Sequence, residues 1–348
     1  MNKLIFLKAA TLLITSMQLQ AQTIFVDPVK GNDTYAGTTT APLASLDKAV
    51  TIANSFSGQE PVNIRLFPGL YVLTDKVTIQ SASKRKAGIR YSIEAACLPD
   101  DTAWSSFKMP VIQSVSPNNT MVPFPHSVGI LVATADVSFR GIKFIGNAHP
   151  AVTYYYPVNK ADSLLGGLEV SQCYFAGDRY TAPIQGGVWA HGPGTKIDHC
   201  IFYHCNNALL FFKGVQHFSV TNTIICGAYE AAMWVWLQNG QFVFRNNIVA
   251  DCEYLWTIPP DAAPKVRFEH SQFINITNYA GNWKKGMVPA SHASFVMENV
   301  QQSPKTPGSV AENARQSARL TGLPIFPGTF MKGPGLFTHD QLPEKMLP

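Results

Sequence analysis

A short pattern of apolar and polar positions recurs six times in the middle of the chain. In most copies an apolar residue is followed by a polar one, the fourth residue is small, and the sixth residue is apolar. The copies begin at Phe139, Val170, Ile197, Val220, Phe244 and Phe268, so their starts are separated by 31, 27, 23, 24 and 24 residues. A spacing that settles near the length of one supersecondary unit is typical of a solenoid.

A second apolar run follows several of these segments after a short turn, as at residues 208–212, 231–236 and 254–258. Each unit therefore contains at least two strands. Strands this short cannot bury both faces as hairpins at a period near 24, but they can when each strand pairs in parallel with its equivalent one turn later. The pattern predicts an all-β fold, a single-stranded right-handed parallel β-helix.

The first coils carry a family resemblance. Residues 23–33 (TIFVDPVKGND) lead through a Gly-containing loop to Leu46, Ala49, Val50 and Ala53, whose spacing predicts a helix over about residues 43–53. This stretch resembles the opening of secreted β-helix proteins of the pectate-lyase-like superfamily, where such a helix caps the open end of the solenoid. The resemblance covers roughly residues 23–280. Near the C-terminus, residues 333–337 are similar to a segment that folds back on the barrel in that superfamily.

The chain divides into three regions. Lys3, an apolar stretch over residues 4–14 and a small residue at Ala21 predict a signal peptide over residues 1–21, so we expect a secreted or periplasmic protein. Residues 22–298 form the β-helix domain with its N-terminal cap. Residues 299–348, rich in Ser, Pro, Gln and Ala where they begin, form a C-terminal cap and a partly irregular tail.

Composition changes this picture little. A hydrophobic content of 46% with 14% charged residues argues for a continuous core. The net charge of +5, with its densest run at residues 84–86 and Arg90, is a weak bias towards acidic ligands. The expected partner is a polysaccharide, not a nucleic acid, and no apolar run after the signal peptide is long enough to span a membrane.

The six cysteines suggest neither disulfides nor zinc. Cys173 and Cys200 share one inward column, and Cys205 and Cys252 take equivalent turn positions two coils apart, so stacked free thiols are favoured. No cysteine pair has the spacing of a structural zinc site. The resemblance implies that Ca²⁺ could serve as a cofactor, but no cluster of acidic ligands is visible, and no metal site is predicted.

An outward column accompanies the repeated segments. If the first residue of each copy points inward, the next must point outward, which assigns Arg140, Ser171, Asp198, Thr221, Arg245 and Glu269 to the surface. Arg245 and Glu269 are then neighbours. One interpretation is that the two side chains form a surface ion pair. The other is that Arg245 is a catalytic or substrate-clamping residue.

A candidate groove lies where the second strand of each unit ends. His191, Lys213 and Trp236 follow those strands. Arg179 and Tyr180 lie on an inserted loop, and Trp189 and Trp236 offer flat faces for sugars, whereas Trp234 and Trp256 are predicted to point inward. His199 and His270 are expected at turns.

The resemblance implies a polysaccharide lyase that cleaves a uronate-containing chain by β-elimination. In such enzymes a Lys or Arg removes the proton α to the carboxylate while another cation neutralises that carboxylate. Lys213 is the candidate base, with His191 and Arg245 as further catalytic candidates. Two alternatives stay open: a glycoside hydrolase with a carboxylate pair such as Glu230 and Glu253, which occupy turns on consecutive coils, and a noncatalytic glycan-binding solenoid.

Overall fold

The computed structural model describes residues 22–81, 88–236, 242–260, 265–303 and 334–338. The predicted signal peptide, the basic run at residues 84–86 and most of the predicted tail lie outside these ranges. The described residues form one α-helix, α1 (Leu46–Asn54), one turn of 3-10 helix (Ser106–Lys108) and strands that we number in chain order. The strands are β1 (Gln22–Val26), β2 (Val62–Leu66), β3 (Leu70–Leu73), β4 (Val77–Ile79), β5 (Tyr91–Ala95), β6 (Val111–Ser114), β7 (His126–Val132), β8 (Val137–Arg140), β9 (Lys143–Ile145), β10 (Tyr154–Lys160), β11 (Leu168–Ser171), β12 (Tyr174–Ala176), β13 (Gly186–Ala190), β14 (Lys196–Asp198), β15 (Ile201–Tyr203), β16 (Asn207–Phe211), β17 (Phe218–Thr221), β18 (Ile224–Cys226), β19 (Ala231–Val235), β20 (Phe242–Arg245), β21 (Ile248–Ala250), β22 (Tyr254–Ile258), β23 (Arg267–Glu269), β24 (Gln272–Ile274), β25 (Asn278–Trp283), β26 (Met287–Pro289), β27 (Val296–Glu298) and β28 (Gln301–Ser303).

These strands form three sheets, and each coil contributes one strand to each sheet in turn. Sheet A has the order β1-β2-β5-β8-β11-β14-β17-β20-β23-β27, sheet B the order β3-β6-β9-β12-β15-β18-β21-β24-β28, and sheet C the order β4-β7-β10-β13-β16-β19-β22-β25-β26. Each strand pairs in parallel with its equivalent one coil later, and among the described strands only β25 and β26 pair antiparallel. The predicted β-helix is confirmed, with three strands per coil.

Each repeated segment is a strand, a turn and a second strand. In the third copy, β14 ends at Asp198, His199 adopts a φ of 49°, and β15 begins at Ile201. A left-handed residue lets the chain change direction between sheets A and B within two residues, and Asn and His tolerate it better than most residues. His199 and His270 lie at such turns, as predicted. The left-handed column at this A–B corner comprises Gln172, His199, Asn222, Asn246, His270 and Asn299.

The core lies inside the coil and is built from stacked equivalents. The rings of Phe144, Phe175 and Phe202 stack on successive coils with centroids 4.8 and 4.6 Å apart. Cys173 and Cys200 are fully buried in the next inward column, and all six cysteines are free thiols, as predicted.

A helix and a C-terminal segment pack on the solenoid as the sequence predicted. Helix α1 buries Leu46, Ala49, Val50 and Ala53 against the first coil, and the Ser45 hydroxyl caps it by accepting from the backbone N–H of Lys48. At the other end, β28 continues sheet B past residue 298, where the sequence analysis ended the β-helix domain. The segment 334–338 folds back on the barrel: Leu336 is buried, and the ring of Phe337 meets Trp104 edge to face at 5.4 Å.

Candidate functional site

The outer face of sheet C presents a column of large side chains. The strand register aligns Trp189, Leu210 and Trp234. Trp189 faces outward as predicted. The prediction that Trp234 points inward is wrong, because its neighbour Val235 pairs with the inward Phe211 and alternation then directs Trp234 to the surface.

Trp256 lies on the inner face of sheet C. It pairs with Met233 and is fully buried in the core, so the inward orientation predicted for this residue is confirmed. The two tryptophans therefore belong to different columns on opposite faces of sheet C.

Aromatic rings cover much of this outer face and contact one another in sequence. Neighbouring ring centroids lie between 4.5 and 6.5 Å apart. The predicted sugar-binding residues Trp189 and Trp236 both belong to this group. We call it the aromatic stripe, and it comprises Phe124, His126, Tyr154, Tyr156, Trp189, His191, Phe212, Trp234, Trp236 and Trp283.

A groove of about 480 Å³ lies beside the aromatic stripe, on the side where the strands of sheet C begin. Its lining residues come from the coils of β10 to β25. We call it the sheet C groove. Its lining residues are Thr153, Tyr154, Arg179, Pro183, Gln185, Asn206, Tyr229, Glu230, Trp234 and Trp283.

Glu230 is the carboxylic acid among these lining residues. One of its oxygens, Oε2, accepts hydrogen bonds from the side-chain amides of Asn206 at 2.9 Å and Asn207 at 2.7 Å. Burial raises the pKa of Glu230 above its ordinary value, although these two amide donors act in the opposite direction. A carboxyl group held in this way can exchange a proton closer to neutral pH than an exposed glutamate.

Arg179 brings a positive charge to the same groove. Its guanidinium carbon lies 4.9 Å from the ring centroid of Tyr229 and 5.9 Å from that of Tyr180. The loop that carries it is held by Asp178, which accepts backbone N–H bonds from Tyr180 and Thr181, both at 2.9 Å. Within the described part of the chain, Arg179 forms no salt bridge, so its charge remains available to a ligand. Of the two residues predicted on this loop, Arg179 lines the groove, whereas Tyr180 is exposed beside it and is not part of the lining.

Lys213 and His191 lie together at another corner, between sheets C and A. The backbone N–H of Lys213 donates to Nδ1 of His191 at 2.9 Å. A neutral imidazole that accepts at Nδ1 carries its proton on Nε2. Burial, followed by the charges of Lys213 and Lys160, lowers the pKa of His191. The ammonium group of Lys213 itself is exposed.

Lys160 is the buried cation beneath this corner. Its ammonium group donates to the carbonyl of Leu165 at 2.9 Å, which fixes the inserted loop after β10. Burial lowers its pKa to about 8, against the opposite influence of Asp136 and Asp162. The side chain is fully enclosed, so it supports the loop and cannot contact a polysaccharide.

Arg245 lies away from both of these regions. It ends β20 at the A–B corner and forms an ion pair with Glu269 at 2.8 Å, which confirms the ion-pair alternative. The basic residues of the predicted site therefore occupy three different corners: Arg245 between sheets A and B, Arg179 between B and C, and Lys213 with His191 between C and A. One cleft does not hold all of them, because each corner faces a different side of the coil.

In the described ranges, no group of three or more His, Cys, Asp or Glu side chains is arranged to hold a metal ion. Among the same residues, no helix is both long and apolar enough to cross a bilayer.

Comparison with known proteins agrees with this fold. Residues 128–298 match the family model described as "Right handed beta helix region". The three parallel sheets are those of a right-handed parallel β-helix, so the predicted fold is confirmed. A search of curated protein sequences finds no match.

Solved structures share this fold at low sequence identity. A rhamnogalacturonan lyase is 13% identical with a TM-score of 0.46, over 83% of this chain and 88% of its own. A lacto-N-biosidase from Eubacterium ramulus is 10% identical with a TM-score of 0.40, over 82% and 67%. A pectin methylesterase in complex with a hexasaccharide is 11% identical with a TM-score of 0.40, over 87% and 98%. At these values the likeness concerns the fold alone.

Several groove residues carry little signal in the sequence. Tyr154 and Trp283 belong to no repeated segment, and Glu230 resembles an ordinary turn carboxylate beside Glu253. The sequence does place Glu230 and Glu253 at equivalent turns, before β19 and β22. The strand register confirms this equivalence, because Ala231 pairs with Tyr254. The amides of Asn206 and Asn207 could be assigned to Glu230 only after the coils were stacked.

Proposed function

We propose that this protein is a secreted polysaccharide lyase that binds a uronate-containing chain in the sheet C groove and cleaves it by β-elimination. The observation that supports this function is the presence of a half-buried carboxyl group, Glu230, and a guanidinium, Arg179, in one groove bordered by aromatic rings. Secretion is supported by the predicted signal peptide at residues 1–21.

Arg179 has the role of neutralising the substrate carboxylate. The proton on the carbon α to a carboxylate is weakly acidic, and its removal puts negative charge onto the carboxylate oxygens. A guanidinium that has no ion-pair partner among the described residues can offer two parallel N–H donors to those oxygens, and it is most effective where water is partly excluded.

Glu230 has the role of the base. Its Oε2 accepts from the two asparagine amides, so the proposed acceptor of the abstracted proton is Oε1. The electron pair of the broken C–H bond forms a carbon–carbon double bond, the bond to the glycosidic oxygen breaks, and that oxygen takes a proton from water. A raised pKa makes Glu230 a stronger base than an exposed carboxylate once it is ionised.

The groove fits hydrolysis less well. Glycoside hydrolases on this general plan use two carboxyl groups about 5 to 9.5 Å apart. Among the residues that line the groove, Glu230 is the single acid. Glu253, its equivalent on the next coil, is exposed and does not line the groove.

The test is incubation of residues 22–348 with a panel of uronate-containing polysaccharides, with ultraviolet absorbance of the unsaturated product and reducing ends followed in parallel. Both signals should rise. Glu230→Gln should lower the rate at least about a hundredfold, as expected for loss of a general base, whereas Glu253→Gln should leave it unchanged. Reducing ends without absorbance would establish hydrolysis instead, and neither signal would favour a binding protein.

A further inference from the structure

The outer face of sheet B is apolar and buried over its later coils. On β15, β18, β21 and β24 the middle residue belongs to the core, so the residues on either side of it point outward by alternation. The outward apolar residues are all less than a tenth exposed, and they are Ile201, Tyr203, Ile224, Cys226, Ile248, Ala250 and Ile274. The outer face of sheet A differs, since Arg245 and Arg267 on the last of these coils are exposed. A sheet face that is outward, apolar and buried needs a cover of its own.

Residues 334–338 are fixed beside this face, and we call them the clasp. The backbone N–H of Gly335 donates to the carbonyl of Asn222 at 3.0 Å, and the side-chain amide of Gln172 donates to the carbonyl of Leu336 at 2.8 Å. Asn222 precedes β18, and Gln172 precedes β12 two coils earlier, so the clasp runs back along the solenoid. Leu336 is buried in the same apolar cluster as the outward residues of sheet B.

The chain between Ser303 and the clasp must pass the coils of Ile248 and Ile274. Strand β28 ends at Ser303 on the last coil of sheet B, whereas the clasp begins beside β18, three strands away in the order β28-β24-β21-β18. Three strand spacings amount to roughly 14 Å. The thirty residues 304–333, which lie outside the described ranges, have a fully extended length of about 100 Å. The connection is therefore long enough to supply the cover.

The sequence of this connection has an apolar half next to the clasp. Six residues between positions 320 and 331 are large and apolar: Leu320, Leu323, Ile325, Phe326, Phe330 and Met331. The preceding half, residues 304–319, has Val310 as its one large apolar residue beside several charged and polar ones. Because the clasp lies beside Ile224, the apolar half is the part of the connection that the chain brings closest to the apolar face.

We infer that the outer face of sheet B is the docking surface for residues 320–331 of the same chain, which the clasp holds in reach. Docking removes apolar surface of both partners from water, and it blocks a face that would otherwise be an association site. A second copy of the protein offers the same residues, but the clasp tethers the chain's own segment next to Ile224 and so gives it the higher effective concentration. This surface is independent of the sheet C groove and of the proposed lyase activity.

Two buried thiols on opposite faces of the barrel wall make the test specific. Cys226 points outward on β18 and belongs to the covered face, whereas Cys200 belongs to the inward core. Residues 22–348 are treated with N-ethylmaleimide under native conditions, and the labelled peptides are quantified by mass spectrometry over time. Both thiols should react slowly in this protein, because a thiol must reach solvent to react.

Replacement of both Phe326 and Phe330 by Asp should detach the docked segment. Labelling of Cys226 should then accelerate at least about tenfold, as expected for local opening, while Cys200 stays protected. Val310→Asp, in the polar half of the connection, is the matched control and should change neither rate. Truncation after Ser303 removes the whole cover and should give the same selective labelling of Cys226.

Three results would overturn the inference. Rapid labelling of Cys226 in the unmodified protein would mean that the face is open. Protection of Cys226 that increases with protein concentration would assign the cover to a second copy. Protection that survives both the double substitution and the truncation would assign it to another part of the chain. If the truncated protein unfolds, Cys200 reacts as well, and the double substitution, which keeps the clasp and every strand, decides.

Discussion

The backbone N–H of Lys213 donates to Nδ1 of His191 on the preceding coil, at 2.9 Å. The contact uses the main chain of Lys213, and its ammonium group is exposed. The side chain of the residue that the sequence favours as a catalytic base therefore contributes nothing to this pairing.

Replacement of Lys213 by alanine should accordingly leave cleavage within about twofold of the original rate, the range expected for a surface substitution. The backbone bond to His191 survives the change. The assay is the initial rate of ultraviolet absorbance with the best polysaccharide of the panel. A hundredfold loss would instead assign the base to Lys213 and move the site to the corner between sheets C and A.

Asn207→Leu should shift the pH dependence of cleavage. The Asn207 amide donates to Oε2 of Glu230 at 2.7 Å and lowers its pKa. Without this donor, the pKa of Glu230 rises further, so the acidic limb of kcat/KM moves to higher pH. Asn275→Leu, which removes an amide donor to Asp251, a carboxylate on a later coil that does not line the groove, is the control. An unchanged acidic limb in Asn207→Leu would exclude Glu230 as the titrating base.

Lys160→Met should change how stability depends on pH. The folded state holds Lys160 at a pKa of about 8, below its ordinary value of 10.5, so the unfolded chain binds more protons between these values. The free energy of unfolding of the original protein should therefore rise relative to that of Lys160→Met as the pH increases through this window. The gain should be at most about 3 kcal/mol.

Urea denaturation of both proteins at pH 7.5, 8.5 and 9.5 measures this difference. Titrating tyrosines affect both proteins alike and cancel in the comparison. A constant difference between the two free energies would mean that Lys160 is charged throughout and that its bond to Leu165 offsets its burial.

Phe175→Ala should destabilise the barrel by about 3 to 5 kcal/mol, because it empties the middle position of a three-ring stack. Phe175→Leu should cost less, since it fills most of the same volume. Arg245→Ala removes only an exposed ion pair and should cost less than about 1 kcal/mol. Denaturant midpoints rank the three variants, and a cost for Arg245→Ala equal to that of Phe175→Ala would contradict the assigned core.

The sequence predicts the fold well because each coil of a solenoid repeats the same pattern of inward and outward residues. The inward Phe175 and Phe202 and the outward Arg140 and Arg245 follow from simple alternation, and the cap helix follows from four apolar residues. The third strand of each coil is hidden, because a left-handed residue such as His199 divides a segment that reads as one strand.

The site is harder to predict, because it depends on which corner each loop faces. Arg179, Lys213 and Arg245 are similar in the sequence, yet the three sides of the coil separate them. Trp234 shows the same difficulty on a smaller scale. It pairs with Thr257, one residue after Trp256, and this offset of one residue puts the two tryptophans on opposite faces of the sheet. The environment of Glu230 comes from neighbouring coils, and no local motif encodes it.

The left-handed column at the A–B corner makes each coil interchangeable in principle. Every coil from Gln172 to Asn299 passes this corner in the same conformation, so gain or loss of one repeat leaves the corner intact. The length of the barrel can therefore change only in whole steps of about 4.8 Å. On such a scaffold the length is quantised, and duplication of a single repeat would extend the outer face of sheet C without any new point substitution.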